Sequence, residues 1–215
     1  MDGAMWNEKG SEYLVKKDYE QAMRCFREAD ARGNYYAMYN LACMYYFGDG
    51  VEKDERTALT WYRRAFEHGD PEAASRVGVM LEQGIGTQQD EEAAFRAYLA
   101  SAEMGSLSGM ANAGRCYMEG IGIRTNRRKG LEWLEKASEL GNGVASVMLG
   151  RLCLTDGAPE YDRARAARCF QRGVEQEYAP AARMLADLYE QGIGVGRDSE
   201  KAAALRRRAE EMEAE

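Results

Sequence analysis

Residues Ala37–Gly69 read AMYNLACMYYFGDGVEKDERTALTWYRRAFEHG. Two apolar stripes of helical period lie in this stretch. Ala37, Leu41, Ala42, Met44 and Tyr45 fall on the face of one helix. Ala58, Leu59, Trp61, Tyr62, Ala65 and Phe66 fall on the face of a second. Gly48-Asp49-Gly50 turns the chain between them, and the Asp54 carboxylate is placed to accept from the open amides of the second helix. Gly69 suits a left-handed cap at its end. A hairpin this small cannot bury its own apolar faces, so it needs neighbours of the same kind.

The neighbours are in the chain. Sliding the sequence by 36 residues keeps it in register without gaps. The columns include Ala37, Ala73, Gly109, Ala145 and Ala181, then Ala42, Gly78, Gly114, Gly150 and Ala186. The capping column is Asp54, Asp90, Asn126, Asp162 and Asp198, and the closing column is Gly33, Gly69, Gly105 and Gly141. Small residues where helices cross let backbones approach closely. Glu55, Glu91, Glu92 and Glu200 sit in first turns, where the helix dipole favours negative charge. Pro71 and Pro180 fit first turns for want of an amide hydrogen. At 215 residues the chain is one short of six periods. The sequence therefore predicts an all-α fold of about twelve helices.

Composition excludes other classes. The formal net charge is −7 and the sequence pI about 5.1, a poor match to nucleic acid or an anionic membrane. No apolar run reaches the roughly 18 residues of a membrane span. Met1–Glu8 lacks the basic and apolar regions of a signal peptide, so the expected location is cytoplasmic. Five cysteines without a CxxC pair read as small core thiols in a reducing compartment. Glycine stands at 23 residues and proline at 3; that surplus follows the repeat rather than disorder.

With the columns in view, the pattern Ala-(x)3-Leu-Gly-x-x-Tyr-x-x-Gly-x-Gly-Val-x-x-Asp-(x)3-Ala-(x)2-Trp-Tyr-(x)2-Ala-(x)3-Gly resembles the Sel1-like repeat of the tetratricopeptide repeat superfamily. The resemblance implies one continuous domain over 1–215, a right-handed superhelix of helix pairs. Its units are 35–70, 71–106, 107–142 and 143–178, preceded by a more tetratricopeptide-like 1–34 and followed by 179–215 with a polar capping helix. The copy from Ala145 departs, with Thr155-Asp156-Gly157-Ala158-Pro159 in the turn. The implied function is non-catalytic: a scaffold or adaptor that holds a partner protein's peptide or loop on a concave face built from first helices. Family members also include immunity proteins that inhibit toxin enzymes, which gives an alternative function. A hydrolase is the reading of a different class, and no motif in the sequence supports it.

Register places one row of residues per unit on that face. They are Asn7, Ser11 and Leu14, then Tyr36, Tyr39, Asn40, Cys43, Tyr46 and Phe47, then Glu72, Ser75, Arg76, Val79 and Glu82. Ser108, Ala111, Asn112, Arg115 and Met118 follow, then Val144, Val147, Arg151 and Leu154, then Arg183, Asp187 and Glu190. The candidate partner-binding set is Tyr36, Tyr39, Asn40, Tyr46, Phe47, Arg76, Asn112, Arg115, Met118, Arg151 and Arg183. Tyrosines are efficient interface anchors, though these rings can instead pack on the first unit. A subset of the superfamily clamps a terminal carboxylate with two Lys, two Asn and one Arg. Asn40 and Arg76 match that pattern, while Asn7, Ser11 and Glu72 do not. Arg124, Arg127, Arg128 and Lys129 surround a helix start where other units carry acids; they read as a basic contact or as a solvated loop.

No cofactor or metal is expected. The Gly-x-Gly turns complete no phosphate-binding fingerprint. His68 is the single histidine and lies at a helix end, and metal sites usually need clustered pairs of ligands. Cys153 and Cys169 lie on the two helices of one unit and read as buried free thiols; the resemblance adds that some secreted relatives tie such helices by disulfides.

Overall fold

The computed structural model describes residues 1–214, and twelve helices account for its regular structure. They are α1 (Gly3–Val15), α2 (Tyr19–Asp30), α3 (Tyr35–Phe47), α4 (Glu55–Glu67), α5 (Pro71–Gln83) and α6 (Glu91–Glu103). Then come α7 (Leu107–Glu119), α8 (Arg127–Glu139), α9 (Gly143–Leu154), α10 (Arg163–Glu175), α11 (Ala179–Gln191) and α12 (Ser199–Ala214). No strand occurs among the described residues. Contacts divide the chain into two compact units. The N-terminal unit holds residues 1–112 and 120–124; the C-terminal unit holds 113–119 and 125–215.

The capping residues act as their column predicts. Asp54 accepts from the amides of Arg56 and Thr57, Asp90 from Ala93, Asn126 from Lys129, Asp162 from Arg165 and Asp198 from Lys201. Gly33, Gly69, Gly105 and Gly141 close second helices at φ 76°, 96°, 99° and 108°. Pro71 and Pro180 both fall in first turns.

Packing repeats with the same period. Second-helix residues Phe26, Tyr62, Tyr98, Leu134 and Phe170 are all buried. Four of them lie against a glycine of the first helix in the same repeat: Gly10, Gly78, Gly114 and Gly150. A Cβ added at Gly78 would stand 2.6 Å from the Tyr98 ring, so the small column is a steric requirement. Full burial of each such side chain is worth about 2–3 kcal/mol. At the sixth position of this column stands Arg206, which pairs with Asp187 at 3.1 Å and Glu190 at 3.7 Å on α11. In α12 an ion pair thus stands where the earlier second helices carry a buried apolar side chain.

The second glycine of each Gly-x-Gly turn has a different task. Gly86 sits at φ 67° against the backbone of Glu55, the first residue of α4. Gly122 and Gly194 lie likewise against Glu91 and Arg163, the first residues of α6 and α10, and Gly50 against Tyr19 of α2. Each turn is therefore latched to the start of the preceding repeat's second helix. The fifth turn breaks the rule, because Ala158 stands where that glycine would be. There Glu160 takes over, its carboxylate accepting 2.8 and 2.9 Å hydrogen bonds from Nε of Arg127, the first residue of α8.

Candidate interaction face

The predicted site residues of the N-terminal unit come together on α3, α5 and the first half of α7. At 100° per residue, Tyr36, Cys43 and Phe47 share a narrow arc of α3, with Asn40 on one side and Tyr39 and Tyr46 on the other. The stripe is about 16 Å long at 1.5 Å rise per residue. Its ends are open to solvent: Tyr36 is 55% exposed and Phe47 68%. Tyr39 and Tyr46 are half-buried. Tyr46 meets Phe47 edge-on at 5.0 Å, and Tyr39 meets the buried Tyr62 edge-on at 5.3 Å. Lys53 Nζ stands 5.8 Å from the Tyr46 ring centre. Tyr45 packs on the core beside Leu41 and Met44, as expected.

A ladder of side-chain hydrogen bonds crosses the first helices of this unit. Asn40 Nδ2 donates to Asn7 Oδ1 at 2.9 Å. Arg76 Nε donates to the Tyr39 hydroxyl at 3.2 Å. Asn112 Nδ2 reaches Ser75 Oγ at a longer 3.5 Å. Donors Asn40, Arg76 and Asn112 occupy one column of the repeat, and each bonds to the neighbouring column one repeat earlier. Below the middle rung, Cys43 Sγ and the Tyr62 hydroxyl are 3.2 Å apart. Burial pushes the pKa of Tyr39 and Cys43 upward, so both present neutral groups to Arg76.

Arg76 is the distinctive group. It is exposed and held through Nε, and the Tyr39 hydrogen bond raises its pKa further. No carboxylate among the described residues pairs with it. Nearby acids are otherwise engaged: Glu72 accepts from Ser106 Oγ at 2.6 Å, and Glu82 from the Tyr98 hydroxyl at 2.8 Å. Two guanidinium nitrogens therefore remain for a ligand.

Three positions of the register map turn inward. Ser75, Ala111 and Val147 are buried, because in these repeats the column carries small or apolar side chains that fit the core. The ladder also went unseen in the sequence. Its donor and acceptor stand in different columns, so reading down a single column cannot reveal it.

The remaining site residues are mostly engaged locally. Arg115 pairs with Glu119 at 3.6 Å, and Met118 covers the backbone at Gly130. Arg183 pairs with Glu213 of α12, and Arg151 is exposed. Arg124 is exposed in the N-terminal unit. In the C-terminal unit Arg127 is bound by Glu160, Arg128 meets Glu132 at 3.3 Å, and Lys129 Nζ lies 5.5 Å from the Tyr117 ring centre. His68 ends α4, exposed. Cys153 and Cys169 are free and buried, and burial pushes the Cys153 thiol up to about 11. Among the described residues no cluster of His, Cys, Asp and Glu converges as a metal site, and no helix is long and apolar enough to cross a membrane.

A periodic helical scaffold with a polar, ring-bearing face defines the class of protein. Its family follows from comparison. The Sel1 repeat matches at residues 3–34, 36–70, 71–106, 107–142, 144–178 and 179–212, so the chain belongs to the Sel1 repeat family. Among solved structures it is similar to a protective antigen of uropathogenic Escherichia coli that displays an SLR fold. That match has 31% identity and a TM-score of 0.82, and covers 98% of this chain and 46% of that one. A Sel1 repeat protein from Oxalobacter formigenes matches at 29% identity and TM-score 0.82, covering 98% and 83%. An immunity protein from Pseudomonas aeruginosa matches at 22% identity and TM-score 0.71, covering 99% and 83%, a likeness of fold alone. The chain spans under half the length of the Escherichia coli antigen. No curated protein matches it. Sel1 repeat proteins generally mediate protein–protein interaction and are generally non-catalytic.

Proposed function

We propose that this chain is a non-catalytic interaction scaffold whose contact face is the first-helix surface of the N-terminal unit. The observation that carries this reading is the exposure of Tyr36 and Phe47 beside a polar ladder. A core needs neither ring, since both lie mostly in water. Exposed rings at the ends of one stripe supply large contact area with few rotors to freeze. Asn40 and Asn112 use their amide nitrogens in the ladder and keep carbonyl oxygens for a ligand's backbone. Recognition by shape and aromatic anchoring then needs no cofactor.

The test replaces Tyr36 and Phe47 with Ala. Both are exposed, so helicity and melting stay as in wild type. Affinity purification from the native cell with mass spectrometry follows. Loss of the principal partners supports the face, and an unchanged partner set removes it. The same experiment separates an adaptor from a dedicated inhibitor of a toxin enzyme, which captures a single cognate enzyme.

A further inference from the structure

Two columns of the second helices pair a ring with a cation. Arg64 Cζ of α4 stands 4.6 Å from the ring centre of Trp61, and Lys136 Nζ of α8 stands 5.1 Å from that of Trp133. Each pair is spaced i, i+3, so cation and ring share one helix face. The third repeat has neither, with Ala97 and Ala100 at these positions, and the first has Cys25 with an acid, Glu28. In the sixth the ring position holds Leu205, which packs on the core. The fifth repeat is the exception: it keeps the cation as Arg172 and has the small Cys169 at the ring position.

Beside Cys169 lies a groove of about 260 Å³, whose lining includes Glu135 and Glu139 of α8, Leu149 of α9, and Arg165 and Arg172 of α10. Leu149 holds the repeat position of Leu41, a member of the core cluster on which Trp61 packs. The groove thus keeps an apolar floor for an indole, and buried Cys169 extends it. Arg172 is fixed at one side, its Nη1 donating to Ser138 Oγ at 3.3 Å. Among the described residues it has neither a carboxylate partner nor a ring beside it. A guanidinium face of this kind attracts an aromatic face. Glu135 is occupied by Arg165 at 2.6 Å. Glu139 makes no ion pair among the described residues, and its carboxylate can accept from a ring N–H. The volume is below the roughly 300–1,000 Å³ of small-molecule sites, and Arg172 and Glu139 are exposed at its edge. Such a groove suits one side chain whose backbone stays outside.

We propose that this groove receives the indole of a tryptophan on a partner protein, stacked on Arg172 with its N–H directed to Glu139. The site lies in the C-terminal unit and does not rest on the first-helix face, so either can fail alone.

The experiment titrates the full chain with an end-blocked Gly-Trp-Gly tripeptide and follows the Arg Nε–H signals by NMR. The Arg172 signal is assigned by its loss in Arg172→Met. Comparison probes are the Gly-Leu-Gly tripeptide, the tripeptide with an N-methylated indole, and free indole. The tryptophan tripeptide should shift the Arg172 signal through its ring current, and the leucine tripeptide should not. Arg172→Met, followed by backbone amides at the groove, should weaken binding by about two- to thirtyfold, the span of a cation–π contact. Methylating the indole should cost wild type about fivefold, the usual worth of a hydrogen bond, and cost Glu139→Met nothing further. Cys169→Trp supplies the ring from within and should abolish binding at unchanged helicity. If that variant does not fold, Arg172→Met and Glu139→Met, both at exposed positions, carry the test. An unshifted Arg172 signal overturns the proposal, as does equal binding of the leucine tripeptide or an Arg172→Met affinity equal to wild type. Tighter binding of free indole than of the tripeptide overturns the assignment to a partner's side chain.

Discussion

Gly33 and Gly86 form a matched pair that separates two roles of glycine in this repeat. Both lie in the N-terminal unit with left-handed backbone, at φ 76° and 67°. Around Gly33 no atom lies within 4 Å of where a Cβ would stand. Gly33→Ala therefore costs only the left-handed penalty of an L-residue, about 1–2 kcal/mol. At Gly86 the same Cβ would stand 2.5 Å from the carbonyl carbon and oxygen of Glu55 and 2.8 Å from the Arg56 nitrogen. Those are backbone atoms in the capped first turn of α4, with no rotamer to swing aside. The overpacking adds about 1–3 kcal/mol, so Gly86→Ala costs about 2–5 kcal/mol in all. Equilibrium urea unfolding followed by far-ultraviolet circular dichroism reads the difference as a lower midpoint. The gap between the variants should be at least about 1 kcal/mol, roughly fivefold in the folding constant. Equal losses would refute the idea that the second glycine of each turn is held by contact with the preceding repeat.

Other outcomes follow from the packing and the charges. Phe170→Ala, at a fully buried ring against Gly150, should cost about 3–5 kcal/mol in the same unfolding assay. Arg127 holds the Glu160 carboxyl below the usual carboxylate range. A depressed folded pKa stabilises above the unfolded value, near 4.3, and that contribution is lost as pH falls through the folded one. The stability gap between wild type and Arg127→Met should thus be full near neutrality and vanish in acid, measured by melting across pH. Burial raises the thiol pKa of Cys25, Cys43, Cys153 and Cys169. A thiol-specific disulfide reagent at pH 8 should therefore react with these four far more slowly in the native protein than in urea.

What the sequence revealed and what it hid have one physical cause. Caps, closing glycines and the small column that meets Phe26, Tyr98, Leu134 and Phe170 are local or strictly periodic. They show as the same or similar residues at a spacing of 36, except that Gly10 of the shorter first unit stands 32 residues before Ala42. Site chemistry on the first helices is neither. The Arg76–Tyr39 bond joins different columns of different repeats, so no alignment of the repeats displays it. Two departures from the pattern, the basic start of α8 and the fifth turn without its second glycine, look unrelated in sequence. In the structure they are halves of one contact, Arg127 with Glu160. Ser75, Ala111 and Val147 show the opposite error: register alone put them on the surface, yet side-chain size sent them into the core.

That contact gives one junction a property its counterparts lack. Where Gly50, Gly86, Gly122 and Gly194 touch the preceding repeat, the joint is made of uncharged atoms at fixed spacing, indifferent to dissolved ions. Between the fourth and fifth repeats the joint is a pair of opposite charges on flexible stems, with Arg127 42% exposed. Its strength falls as the Debye length shortens, from about 10 Å at 0.1 M salt to about 3 Å at 1 M. Ionic strength thus acts on this turn's latch and leaves the four glycine latches unchanged. The two helix pairs it ties should be the place where saline conditions first loosen the C-terminal unit.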